Sequence, residues 1–98
     1  MYSEVTDDPL YLNMVRARAG MPLYGTEDYP SDKYPTLALA IEHERRIELC
    51  HEFHRFFDLV RTNRALEKIP SLNNNKLLFP IPQYAIDVNN KLTQNPGY

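Results

Sequence analysis

Glu42-His43-Glu44-Arg45-Arg46-Ile47-Glu48-Leu49-Cys50-His51-Glu52, set inside the longer run from Thr36 to Arg64, is the stretch whose reading decides the fold. The run contains no Gly or Pro and is rich in good helix formers, which predicts one helix over about residues 36–65. Thr36 is the expected N-cap, with Pro35 holding the approach extended. At about 100° per residue, Leu49, Cys50, Phe53, Phe56, Phe57 and Val60 share one side. Glu44, Glu48, His51, His54, Arg55, Asp58 and Arg61 share the other. Glu42 and Arg46 break the pattern: they project into the apolar arc, one turn apart, with Arg45 and Glu52 on its flank. An exposed i,i+4 pair contributes only about 0.2–0.5 kcal/mol. The aromatic half implies a partner surface on that face, so a partly buried network that fixes the docking of another element is the stronger reading.

Outward from this run, the chain is too short and too broken for more than one small domain. Its 98 residues are 43% hydrophobic, and eight prolines leave much of it irregular. One long helix and one short helix do not easily enclose four Phe and seven Tyr. The expectation is an all-α segment, residues 1–98, that forms an incomplete part of a larger domain or an obligate assembly. A net charge of -2 with interspersed signs provides no basic patch for nucleic acid. The single cysteine, Cys50, excludes an internal disulfide framework. No stretch has the length of a membrane span, and no signal-peptide core opens the sequence.

N-terminal to the long run, Met1 to Thr6 reads as a frayed lead-in. Asp7-Asp8-Pro9 then marks a helix start, with Asp8 as cap and Pro9 at the first helical position. This helix runs to Ala19 and stops at Gly20. Leu10, Tyr11, Met14, Val15 and Ala17 form its expected apolar face; Arg18 points into that face and Arg16 away from it. Residues 21–35 form a loop with three tyrosines, Tyr24, Tyr29 and Tyr34, which are candidate contacts for sugar rings. C-terminal to the long run, residues 69–75 are breakers. Phe79 and Ile81 each precede a proline and so belong to an extended apolar strap. The strap should pack near Phe53, Phe56 or Val60. A helical turn over Pro82–Asp87 and the turn sequence Gln94-Asn95-Pro96-Gly97-Tyr98 complete the chain.

The chemistry-bearing residues do not assemble into a catalytic pattern. His51-Glu52-Phe53-His54 has i,i+3 spacing and not the i,i+4 spacing of zinc-protease helices. Glu48-Leu49-Cys50-His51 has the Glu-x-x-His spacing of di-iron bundles without a second copy. Ser3 and Ser71 lack a nucleophile elbow, and there is no phosphate-binding glycine loop. No catalytic residue, metal site or cofactor is assigned. The charged residues instead predict a docking network of Arg18, Glu42, Arg46 and Glu52, in which Arg18 donates to Glu42 or Glu52.

Four stretches carry a resemblance. Tyr11-Leu12-Asn13-Met14-Val15-Arg16-Ala17-Arg18-Ala19-Gly20-Met21 resembles the L-N-x-V-R-x-R-A-G-L helix end of the SusD/RagB family. Glu44-Arg45-Arg46-Ile47-Glu48-Leu49, with Glu52, Arg55, Asp58-Leu59 and Arg61, resembles its E-R-R-x-E-L-x-x-E-G-x-R-W-x-D-L-x-R helix. Leu77-Leu78-Phe79-Pro80-Ile81-Pro82-Gln83 and Gln94-Asn95-Pro96-Gly97-Tyr98 resemble its closing strap and last residues. The order and extent of the four imply the C-terminal portion of a predominantly helical protein with tetratricopeptide-like repeats elsewhere. They further imply a surface-exposed outer-membrane lipoprotein of Bacteroidetes-type bacteria. Such a protein binds glycans, is not an enzyme, and delivers its ligand to a TonB-dependent transporter. Two departures stand out. Phe53 occupies a place where the family usually has Gly, and the lipidated cysteine and repeats are absent from this segment, which is therefore expected to carry no anchor of its own. The alternative is a free-standing helical protein–protein interaction module without glycan binding. The isolated segment is expected to expose a large apolar surface or to bury it against another copy in self-association.

Overall fold

The Asp8-Pro9 start and the Gly20 stop bound the first expected helix, although Pro9 and not Asp8 is its N-cap. In the computed structural model, which describes residues 2–98, helix α2 spans Leu10–Arg18. Asp8 Oδ1 accepts from the Leu10 N–H at 2.9 Å, and Pro9 already has helical dihedrals. At the other end Gly20 takes φ +67°. Its N–H donates to Ala17 O at 3.1 Å, while the Met21 N–H donates to Arg16 O at 2.9 Å. This is the paired bonding of a Schellman cap, whose left-handed position favours Gly. A Cβ on Gly20 would meet nothing within 4 Å, so the constraint there is conformational alone.

Residues expected to fray are ordered into a short helix, α1, Tyr2–Thr6. Ser3 is fully buried, and its Oγ accepts from the Leu12 N–H at 3.1 Å. That N–H lies in the first turn of α2, where no intrahelical carbonyl is available. The hydroxyl therefore acts as a remote cap, a role invisible to a reading confined to local sequence.

Helix α3 spans Leu37–Glu48, with Thr36 Oγ1 accepting from the Leu39 N–H at 3.3 Å as its N-cap. The single helix expected over 36–65 is not observed. The chain turns over residues 49–54 and re-enters helix as α4, Arg55–Arg61. His51 and Phe53 take φ +65° and +62°, left-handed values that end a right-handed helix. His adopts this conformation more readily than most residues and Phe does not, but neither marks a turn as Gly does. Phe53 is the position at which the resembled motif carries Gly, the residue that adopts this conformation without a Cβ penalty.

The chain divides into two compact units, Met1–Arg55 and Phe56–Tyr98. In the first, α1 packs against α2 and α3. Its core is Leu12, Tyr29, Ala40 and Ile41, with Tyr24, Tyr34 and Leu37 packed against it. In the second, α4 ends in a left-handed Asn63 (φ +58°), the Arg64 N–H donating to Leu59 O at 2.8 Å. Helix α5 (Ala65–Lys68), a 3₁₀ turn (Asn74–Leu77) and helix α6 (Gln83–Val88) follow. Leu59 and Ala65 are its buried hydrophobic residues.

The extended strap begins at Leu78, and its backbone is paired by side chains in place of a β-strand. Gln94 Oε1 accepts from the Ile81 N–H at 2.8 Å while Gln94 Nε2 donates to Ile81 O at 2.9 Å. Asn95 Nδ2 donates to Phe79 O at 2.6 Å, and the Tyr98 hydroxyl donates to Leu78 O at 3.0 Å. Gly97 (φ +90°) is required twice over, since a Cβ there would sit 2.9 Å from Asn75 Cβ. Phe79 meets Phe56 at 6.0 Å and Phe57 at 6.1 Å between ring centroids, yet remains 63% exposed. The strap therefore reaches the expected aromatics without burying its own. The fold class is all-α, with no strand among the described residues.

Candidate functional site

Helix α2 meets α3 through an arginine, but it is not the one that the apolar stripe suggests. Arg16 is 5% exposed, and its Nη1 donates to Glu44 Oε2 at 2.6 Å; Glu44 is 3% exposed. Arg16 Nε donates to Pro22 O at 2.6 Å, and the guanidinium carbon lies 5.1 Å from the centroid of the Tyr29 ring. One side chain thereby joins α2, α3 and the intervening loop. Its planar fork allows this, because the Nε and Nη donors point in fixed, different directions.

The expected network is redistributed. Arg18 reaches a carboxylate of α3, that of Glu48, in an exposed pair. Glu42 pairs with Arg55 at 3.0 Å, across the turn that interrupts the expected helix. Arg46 and Glu52 are exposed. Arg16 and Glu44, both expected on outward faces, are the buried partners. Apolar residues lie nearly all round α2, so periodicity alone does not select the Leu12–Arg16 stripe over the Leu10–Met14 stripe, and it is the former that is buried.

Asn13, next to Leu12, secures the loop from the other side. Its Oδ1 accepts from the Tyr24 N–H at 2.7 Å, and its Nδ2 donates to Tyr24 O at 3.2 Å. The amide side chain thus pairs with both backbone polar groups of one loop residue, much as a neighbouring strand would. The loop gathers the three tyrosines singled out by the sequence. Tyr24 and Tyr29 make an edge contact at 5.1 Å, and Tyr34 stacks on His43 of α3 at 4.0 Å and 19°. Tyr29 is buried (5% exposed), whereas Tyr24 and Tyr34 are half-buried. Tyr24, Thr26, Tyr29, Ser31 and Tyr34 line a cleft of about 270 Å³. Burial raises the Tyr29 phenol above its ordinary range, with the Arg16 guanidinium opposing. Burial likewise lowers the His43 imidazole; Glu44 opposes this, and Arg16 and Arg46 add to it. His51 and His54, the other two histidines, are exposed in the turn.

Comparison with known proteins follows the same residues. The model of the SusD family matches residues 9–75 and 62–98. The SusD-like protein P38 of Formosa agariphila is 35% identical over 95 residues, covering 89% of this chain and 19% of that protein. No solved structure matches.

Proposed function

This chain belongs to the SusD family, and on that premise we propose that it is a portion of a cell-surface glycan-binding lipoprotein of the outer membrane. The whole protein captures oligosaccharides and passes them to a TonB-dependent transporter. It acts by binding and not by catalysis. The present residues correspond to 19% of the curated relative, so the activity is assigned to the whole protein and the segment is given a part in it.

That part is to hold, and to present, the tyrosine loop. The observation that carries the reading is the convergence of the motif residues Asn13, Arg16, Gly20 and Glu44 on this one task. Asn13 and Arg16 bind the loop backbone, Glu44 neutralises Arg16, and Gly20 turns the chain from α2 into the loop. Residues on two helices are thus committed to the shape of a short irregular stretch. Tyr24 and Tyr34 are its candidate ligand contacts. Aromatic rings present an apolar face to the C–H groups of a sugar and a hydroxyl at the edge. No helix among the described residues is long and apolar enough to cross a membrane, and lipid anchoring belongs to the proposal for the whole protein. The test is retention of the full-length protein in native gels containing immobilised glycans, compared with its Tyr24→Ala and Tyr34→Ala variants. Loss of retardation in the variants is expected. Equal retardation of all three would remove the loop from the site.

A further inference from the structure

We propose that the tyrosine cleft selects uncharged polyhydroxylated rings and discriminates against anionic saccharides. The inference rests on the reading above, that this loop contacts glycan, and adds to it the charge of the ligand. The walls supply aromatic faces and neutral hydroxyls from Tyr24, Thr26, Tyr29, Ser31 and Tyr34. A sugar ring offers the complementary pair, C–H patches and hydroxyls.

The charges around the cleft decide the rest. Residues 21–35 contain Glu27, Asp28 and Asp32 against one cation, Lys33. All four are exposed. Glu27 follows Thr26 directly, Asp28 precedes Tyr29 and Asp32 follows Ser31, so each carboxylate-bearing Cα lies about 3.8 Å from that of a lining residue. Lys33, which directly precedes Tyr34, is placed in the same way, so the loop sets three anionic residues against one cation beside the lining. A guanidinium able to receive an anion does lie beneath the cleft, but it is committed. Arg16 is buried behind the Tyr29 ring and bonded to Glu44 and to Pro22 O. A carboxylate or sulfate ester entering here would meet a loop of net negative charge and, in Arg16, a fork already occupied, whereas a neutral ring loses nothing by it.

The test uses the full-length protein and two probe series: neutral gluco-, manno- and galacto-configured tetrasaccharides, and the uronate tetramers of the same configurations. Titration calorimetry is run at low and high salt. At least one neutral probe is expected to bind, with its uronate counterpart several-fold weaker at low salt and the gap closing at high salt. Glu27→Gln with Asp28→Asn, which leaves the lining residues intact, should narrow the low-salt gap without changing neutral affinity. Uronates binding as tightly as neutral sugars at low salt would overturn the charge inference and leave the cleft reading standing. No binding in either series, or neutral binding indifferent to Tyr24→Ala in a variant with unchanged helix content, would overturn both.

Discussion

At the scale of single residues, Arg16 and Arg18 lie two positions apart and exemplify opposite regimes of ion-pair energetics. Arg16→Met leaves the Glu44 carboxylate buried without its partner and should cost about 3–5 kcal/mol in urea denaturation. Arg18→Met removes an exposed pair and should cost less than about 1 kcal/mol. Equal costs would mean that the pair at Arg16 is not desolvated. Phe53 provides a second contrast. It is 89% exposed and left-handed, so its side chain contributes little while its Cβ is strained. Phe53→Gly should stabilise by about 0.5–1 kcal/mol, the relief of a left-handed Cβ less the extra freedom of Gly in the unfolded chain. Phe53→Ala keeps the strain and should be near neutral; if it melts above the Gly variant, the backbone argument fails. His43 gives the pH dependence. Its folded pKa lies below the ordinary value of about 6.5, so just below that pH the unfolded chain binds more protons than the native one. The resulting stability is full above about pH 6.5 and is lost as pH falls through the lowered folded value. A His43→Gln variant should lack this component, seen as the difference between the two pH–stability curves.

At the scale of elements, the ends marked by special residues were legible and the interruption was not. Asp8-Pro9, Gly20 and Thr36 each carry a distinct capping chemistry, and each sits within one residue of the boundary it implies. The turn over 49–54 is made by His51, a type only modestly enriched in the left-handed region, and by Phe53, which is not, so good helix formers on both sides masked it. The loop tyrosines could be singled out by composition, but their anchors could not. Asn13 and Arg16 reach the loop over separations of 11 and 6 residues, and the Glu44 that neutralises Arg16 lies 28 residues away, beyond the reach of local periodicity. The strap was legible as extended from its prolines, whereas its pairing was not, because side-chain amides and a phenol stand in for a strand. Gln94→Ala should therefore leave the Ile81 N–H and C=O unpaired at a part-buried site and cost about 1–3 kcal/mol. Faster amide exchange at Ile81 would accompany it. Phe79→Ala, by contrast, should fall well short of the roughly 3–5 kcal/mol of a fully buried phenylalanine, since the ring is mostly exposed. The reverse ranking would mean that aromatic packing, and not amide pairing, holds the strap.

At the scale of the molecule, the question is how so small a buried core is sustained. Among the described residues the buried hydrophobics are Leu12, Tyr29, Ala40, Ile41, Leu59 and Ala65, two of them alanines. Leu10 and Met14 of α2 remain more than half exposed, as do Phe57, Phe79, Tyr84 and Val88 in the second unit. Domains of this size bury a limited share of their surface even when well packed, and units of about 40–60 residues are marginal alone. Leu10 and Met14 lie one turn apart on α2, and Phe57 meets Phe79 in the second unit, so each unit presents adjoining apolar groups of the kind that suit an interface. The 98-residue chain should accordingly self-associate, and because association stabilises the native state by mass action its melting temperature should rise with protein concentration. Light scattering across a concentration series, read beside thermal melts at the same concentrations, checks both together. Met14→Lys and Phe79→Ser place polar groups on exposed positions of the two units without touching Leu12, Leu59 or the Arg16–Glu44 pair. If the exposed faces drive association, these variants should lower the scattering mass and flatten the concentration dependence of melting. A chain that stays monomeric throughout, with one melting temperature at every concentration, would show that the exposed faces are compatible with an isolated fold.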